Sequence, residues 1–143
     1  MESLAERKAE ILDEFMMFDD WMQKYEHIIE LGKELPLIDE QFKTEEHLIK
    51  GCQSRVWLHA NEGNGGTVHF TADSDAIITK GLIALMIRYL GDLPAKDVAQ
   101  ADMGFIQEIG LQDHLSPTRS NGLVSMVKQM KLYGMALAAK QSS

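Results

Sequence analysis

A single cysteine, Cys52, stands in the run Leu48-Ile49-Lys50-Gly51-Cys52-Gln53-Ser54-Arg55-Val56-Trp57. A thiol that serves only as packing is expected inside a strand or on the apolar face of a helix. This one follows a glycine at the tip of a connection between two extended runs, with Lys50 and Arg55 on either side. The thiolate is the nucleophilic form of cysteine, and nearby positive charge favours it. The position therefore suits thiol chemistry, although on these features alone an inert and a reactive thiol stand level.

Other chemistries find little support in the residues. Five histidines, His27, His47, His59, His69 and His114, are scattered, and with one cysteine the chain holds no CxxC pair, HExxH or four-cysteine cluster motif. No metal site is implied. His59 and His69 fall on runs that can share one sheet face, and are read as surface residues. The glycines from Gly63 to Gly66 lack the Lys and Ser/Thr of a phosphate-binding loop and precede no helix. With 22 acidic and 14 basic residues the net charge is −8, which argues against nucleic acid as a partner. The longest apolar run, Leu82 to Ile87, ends at Arg88, far short of the roughly 20 residues that span a bilayer, so no membrane partner is expected. Acidic residues run through the N-terminal MESLAERKAEILDEF, which reads as a structural helix and not as a signal peptide. One thiol and no possible internal bridge suit a reducing compartment, and the cytoplasm is the expected address.

The elements that must position Cys52 follow from periodicity. Leu4, Ile11, Leu12, Phe15 and Met16 have near-helical spacing, and Trp21, Tyr25, Ile28, Ile29 and Leu31 continue it after Asp19-Asp20. Two helices are predicted, the second capped by Asp19 or Asp20 and ended by Gly32 and Pro36. Residues 35–46 lose the period and read as a loop. Three short extended runs come next, at His47–Lys50, Val56–Ala60 and Thr67–Ala72. They predict a three-stranded antiparallel sheet, with Asn64-Gly65 turning its last two strands. Asp73-Ser74-Asp75 is expected to cap a helix carrying Ile77 to Tyr89 and ending at Gly91. Pro94 opens a short helix, Phe105 to Ile109 another, and Ser116-Pro117 a last helix buried to near Ala139. Gly81 and Gly122 lie inside helical runs, where each costs roughly 1 kcal/mol relative to Ala, so close packing is expected at both. Helices, then strands, then helices predict an α+β domain over residues 1–143 with its helices packed on one face of the sheet.

The segments IKGCQSRVWLHA, ADSDAIITKGLIALMI and HLSPTRSNGL resemble, in order and separation, three signature stretches of the SufE family of sulfur-acceptor proteins. The N-terminal third matches only in general character. The resemblance implies one SufE-like domain with a fold similar to iron-sulfur scaffold proteins such as IscU. It also implies an accessory protein acting by transpersulfidation, with no cofactor of its own. Its partner would be a pyridoxal-phosphate cysteine desulfurase of the SufS or CsdA kind. Cys52 would accept the desulfurase's persulfide sulfur, stimulate that enzyme and relay sulfur to the scaffold complex that assembles iron-sulfur clusters. Gly51 is expected to let the Cys52 tip, shielded at rest, swing toward the partner. Asp75 reads either as an acid at a helix N-terminus or as a residue beside the cysteine loop. Arg119, a cation where a helix dipole disfavours one, is expected to steady the persulfide or bind an acidic partner residue. Three other readings stand beside this one: sulfur sent to another thiolation pathway, a docking regulator that carries no sulfur, and a thiol redox sensor.

Overall fold

The computed structural model describes residues 3–52, 54–102 and 104–142. Helix α1, Leu4–Met16, is capped by the Ser3 hydroxyl, which accepts from the Glu6 amide. Asp20 does the same for the Gln23 amide at the start of α2, Trp21–Lys33. Gly32 does not end α2 but lies buried within it. The reason is α3, Ile77–Leu90, which crosses at this point: a Cβ on Gly32 would meet the Gly81 amide nitrogen at 3.0 Å. A Cβ on Gly81 would meet the Ile28 carbonyl oxygen at 2.2 Å. Glycine on both helices is what lets the backbones approach this closely.

Strands β1, Val56–Glu62, and β2, Thr67–Ser74, form the expected antiparallel hairpin, each two residues longer than predicted. The turn between them carries Gly65 and Gly66 at φ +70° and +79°, a region that favours glycine. The third strand is not the expected one. It is β3, Leu93–Pro94, placed after α3 and paired with Thr67 and Val68. Residues 47–50 contribute only a bridge between Leu48 and Trp57 and an Ile49 N–H bond to the Val56 carbonyl, because His47 closes a 3-10 turn and Gly51 turns the chain away. Pro94 therefore ends a strand and precedes α4, Ala95–Ala99, whose first residue follows it.

Val56, Leu58, Val68, Phe70 and Ala72 put one sheet face into the core, as period-2 alternation requires. Helix α3 covers that face and is itself wrapped, with eleven of its fourteen residues buried. A helix apolar on nearly every side belongs at the centre of a core. Helices α1 and α2 pack on α3, and α7, Pro117–Ser142, packs on α3 and on the sheet. Two short helices, α5, Phe105–Ile109, and α6, Leu111–His114, lead into α7. The fold is α+β with a three-stranded antiparallel sheet, as the sequence predicts. The predicted loop at 35–46 folds back on the outer sheet face, where Phe42 stacks on His59 at 3.9 Å between centroids and Lys43 pairs with Asp73.

Candidate functional site

The loop that carries Cys52 is tied at both roots by backbone. On the incoming side the Ile49 amide donates to the Val56 carbonyl at 2.9 Å. On the outgoing side Arg55 is clamped at both of its main-chain groups. Its amide donates to Asp75 Oδ1 at 3.1 Å, and its carbonyl accepts from the Ser74 hydroxyl at 2.8 Å and the Asp75 amide at 3.3 Å. Asp73 and Ser74 thus remain in β2 instead of capping α3, whose N-cap is Ala76. Asp75 is exposed and stands just outside α3, so its defined contact is with the cysteine loop.

Between these roots the tip leans on α7. Gly51 has φ +95°, and a Cβ there would lie 2.6 Å from Ser125 Oγ. Cys52 follows, half-buried, with its Sγ 3.6 Å from the Gly122 carbonyl oxygen, a long S–H···O contact. Gly122 is the floor of this seat: a Cβ on it would rest 3.4 Å from the Cys52 sulfur. Close packing accounts for Gly81, pressed against α2, whereas at Gly122 a methyl group would meet the thiol only at ordinary contact distance, so the close packing expected there is not found. A cleft of about 510 Å³ runs beside the loop, lined by Lys50 together with Ser125 and Lys128 of α7.

The electrostatics differ from expectation. Lys50 and Arg55 are exposed, and burial pushes the Cys52 thiol above its ordinary pKa. Removing a group from water disfavours its charged form, so at neutral pH the seated cysteine is a protonated thiol and not the thiolate that flanking cations suggested. Arg119 sits in the first turn of α7, where its amide donates to the Ser116 hydroxyl at 3.3 Å. Its guanidinium is not placed on Cys52. It donates to the Tyr25 hydroxyl of α2 at 2.6 Å. His59 Nδ1 lies 3.1 Å from His47 Nε2, whereas His69 pairs with Asp92. Among the described residues no three His, Cys, Asp or Glu side chains gather as a metal site, and no helix is long and apolar enough to cross a membrane.

Sequence reasoning named Gly51, Cys52, Asp75 and Arg119, and the structure joins the first three in one loop and its clamp. It missed Ser74, read as a helix cap; Ser125, which carries no local signal; and Tyr25, whose helical spacing marked it only as a packing residue.

A half-buried lone thiol, on a glycine-rooted loop seated against the first turns of a long helix, defines an α+β protein built around one cysteine. Residues 9–134 match the family described as SufE, the Fe-S metabolism associated domain, and the chain belongs to that family. It is 37% identical over 140 residues to SufE-like protein 1, chloroplastic/mitochondrial, of Arabidopsis thaliana, covering 98% of this chain and 38% of that protein. The chain thus spans well under half of that plant relative. It is 40% identical over 126 residues to an uncharacterized SufE-like protein of Rhizobium etli, covering 85% of each. A Rhizobium meliloti SufE-like protein is 37% identical over 126 residues, with 85% of this chain and 90% of that one covered. In fold it is similar to the solution structure of a hypothetical protein from Thermus thermophilus, with TM-score 0.78 and 18% identity, covering 93% of this chain and 96% of that one.

Proposed function

We propose that this protein is a sulfur carrier whose Cys52 takes sulfane sulfur from the persulfide of a cysteine desulfurase, stimulates that enzyme, and relays the sulfur to the scaffold complex of iron-sulfur cluster assembly. The observation that carries the reading is the seat of Cys52 itself, a protonated thiol against Gly122 on a loop whose tip turns at a positive-φ glycine. The cytoplasm is the proposed compartment.

The transfer balances without an oxidant. Cys52 loses its proton, and the thiolate attacks the outer sulfur of the partner's Cys–S–SH. The partner's S–S bond breaks as a new one forms on Cys52, and the partner cysteine leaves as a thiolate that takes up a proton. A second thiol nearby would resolve the product to a disulfide, and the chain has no second cysteine. Asp75 holds the loop's outgoing root, and Gly51 supplies the hinge. Arg119 serves the persulfide anion or an acidic residue of the partner. In its seat the thiol is protonated and half-buried, so the loop must leave α7 to meet the partner's persulfide. Hydrogen exchange at residues 50–52 is expected to rise when the desulfurase binds; equal exchange with and without it would remove the swinging step.

Intact-mass spectrometry after incubation with a cysteine desulfurase, pyridoxal phosphate and free cysteine tests the reading. The expected result is a gain of about 32 Da per sulfur that a reducing agent removes. No gain with any of several desulfurases would favour a docking regulator or a redox sensor. Sulfur that arrives on Cys52 and passes to a thiolation enzyme instead of a cluster scaffold would place the protein in another pathway.

A further inference from the structure

Tyr25 and Arg119 lie 94 residues apart in the chain and meet at 2.6 Å, guanidinium to phenol oxygen. Tyr25 stands on α2 with its ring 6.3 Å from that of Trp21, which in turn stacks on His114 at 4.3 Å, just before α7 begins. The phenol is therefore held by packing. Arg119 is exposed, in the first turn of a 26-residue helix whose dipole repels a cation there. The group that holds it is neutral.

One turn further along α7 is Gly122, the floor beneath the Cys52 sulfur. Residues three apart on a helix have Cβ atoms roughly 5–6 Å apart. The spot a helical side chain covers also lies over the turn N-terminal to its own Cα, which for position 122 is the turn that carries Arg119. The three methylenes of arginine span such a gap. This spacing puts an anion at Cys52 within the reach of the Arg119 side chain.

We infer that Tyr25 is a positioning residue that parks Arg119 while Cys52 is a neutral thiol and yields it when Cys52 carries negative charge. This rests on the sulfur-carrier reading for its use, but not for its test. A neutral phenol is a weaker partner for a guanidinium than an anion is, since charge-assisted bonds on both sides are the stronger ones. The other charges near the loop are Lys50 and Arg55, both exposed, Lys128 of α7, which lines the cleft beside Lys50, and Asp75, whose Oδ1 is bonded to the Arg55 amide.

The experiment is the rate of Cys52 alkylation by iodoacetamide against pH, on the full chain without desulfurase. Tyr25→Phe keeps the ring and its packing and removes only the hydroxyl. The expected result is a profile displaced to lower pH, with alkylation at neutral pH faster by roughly three- to tenfold, since an opposite charge close by favours the thiolate. In an Arg119→Ala background the same Tyr25→Phe change is expected to do nothing. A Tyr25→Phe profile that superimposes on the unmodified protein, or a shift that survives in the Arg119→Ala background, would overturn the inference. A purely structural role for Tyr25 moves the melting temperature and not this profile. Failure here leaves sulfur acceptance untouched, because that is read by mass gain from the desulfurase.

Discussion

Serine at position 52 is expected to abolish sulfur acceptance completely while leaving the fold intact. The hydroxyl is close in shape to the thiol and can donate to the Gly122 carbonyl that Cys52 now faces, so the loop keeps its seat. What is lost is the chemistry: an alcohol does not ionise near neutral pH and cannot carry a sulfane sulfur, whereas attack on the partner's persulfide requires a thiolate. Because the chain has no other cysteine, no second residue can take over. Mass spectrometry after incubation with the desulfurase is expected to show the gain of about 32 Da per sulfur only in the unmodified protein. The same variant measures whether docking and carriage separate. If Cys52→Ser still stimulates the desulfurase fully, stimulation comes from binding, and the carrier reading loses its support from that assay.

Gly81→Ala is expected to be the most damaging of the conservative glycine changes. Its methyl group would stand 2.2 Å from the Ile28 carbonyl oxygen and 2.8 Å from the Ile28 carbonyl carbon, and backbone in a buried helix pair has nowhere to go. Overpacking of this kind costs typically 1–3 kcal/mol and occasionally more, against a gain of about 1 kcal/mol from helix propensity. With a contact as short as 2.2 Å the upper end of that cost applies, and the net loss of roughly 2 kcal/mol corresponds to a melting temperature lower by about 6–10 °C for a chain of this size. Gly122→Ala supplies the contrast. There the new methyl meets Cys52 at 3.4 Å or beyond, ordinary contact, so propensity should decide and the variant should be as stable as the parent or slightly more so. Thermal denaturation of the two variants side by side checks both signs. A Gly81→Ala variant as stable as Gly122→Ala would mean that the α2–α3 crossing has more slack than its geometry indicates, and a loss in Gly122→Ala would mean that the cysteine seat is tighter than its contact distance indicates.

How much of this could be read from the chain depends on the range of each interaction. The hairpin was legible because alternation at Val56 to Ala60 and Thr67 to Ala72 and the Asn64-Gly65 turn are local signals. The third strand was not. Leu93–Pro94 is too short to show a period, and a proline before Ala95 reads equally well as the start of a helix. The run at 47–50 looked like a strand because its composition is right, yet tertiary packing allowed it only one bridge. At the candidate site the order of Gly51 and Cys52 pointed to a turn with a thiol. The sign of the electrostatics did not follow, because the group that buries the sulfur is 70 residues away on α7. Lys50 and Arg55 are neighbours of Cys52 in sequence and face solvent instead. Asp75 fits a helix-cap reading and a loop reading equally well in sequence, and its bond to the Arg55 amide favours the second. Arg119 stood out because a cation is disfavoured at a helix start, but nothing local pointed to a tyrosine on the second helix as its partner.

Helix α3 is enclosed by α1, α2, α7 and the sheet, and almost none of it reaches the surface. The residues that make the core and the residues another protein can touch are therefore drawn from different stretches of chain. Selection on partner choice can rewrite the cysteine loop's rim and the exposed faces of α2 and α7 without disturbing the central helix, and drift in the core can proceed without altering recognition. Such a division lets one architecture persist while sequences diverge, in keeping with a TM-score of 0.78 at 18% identity.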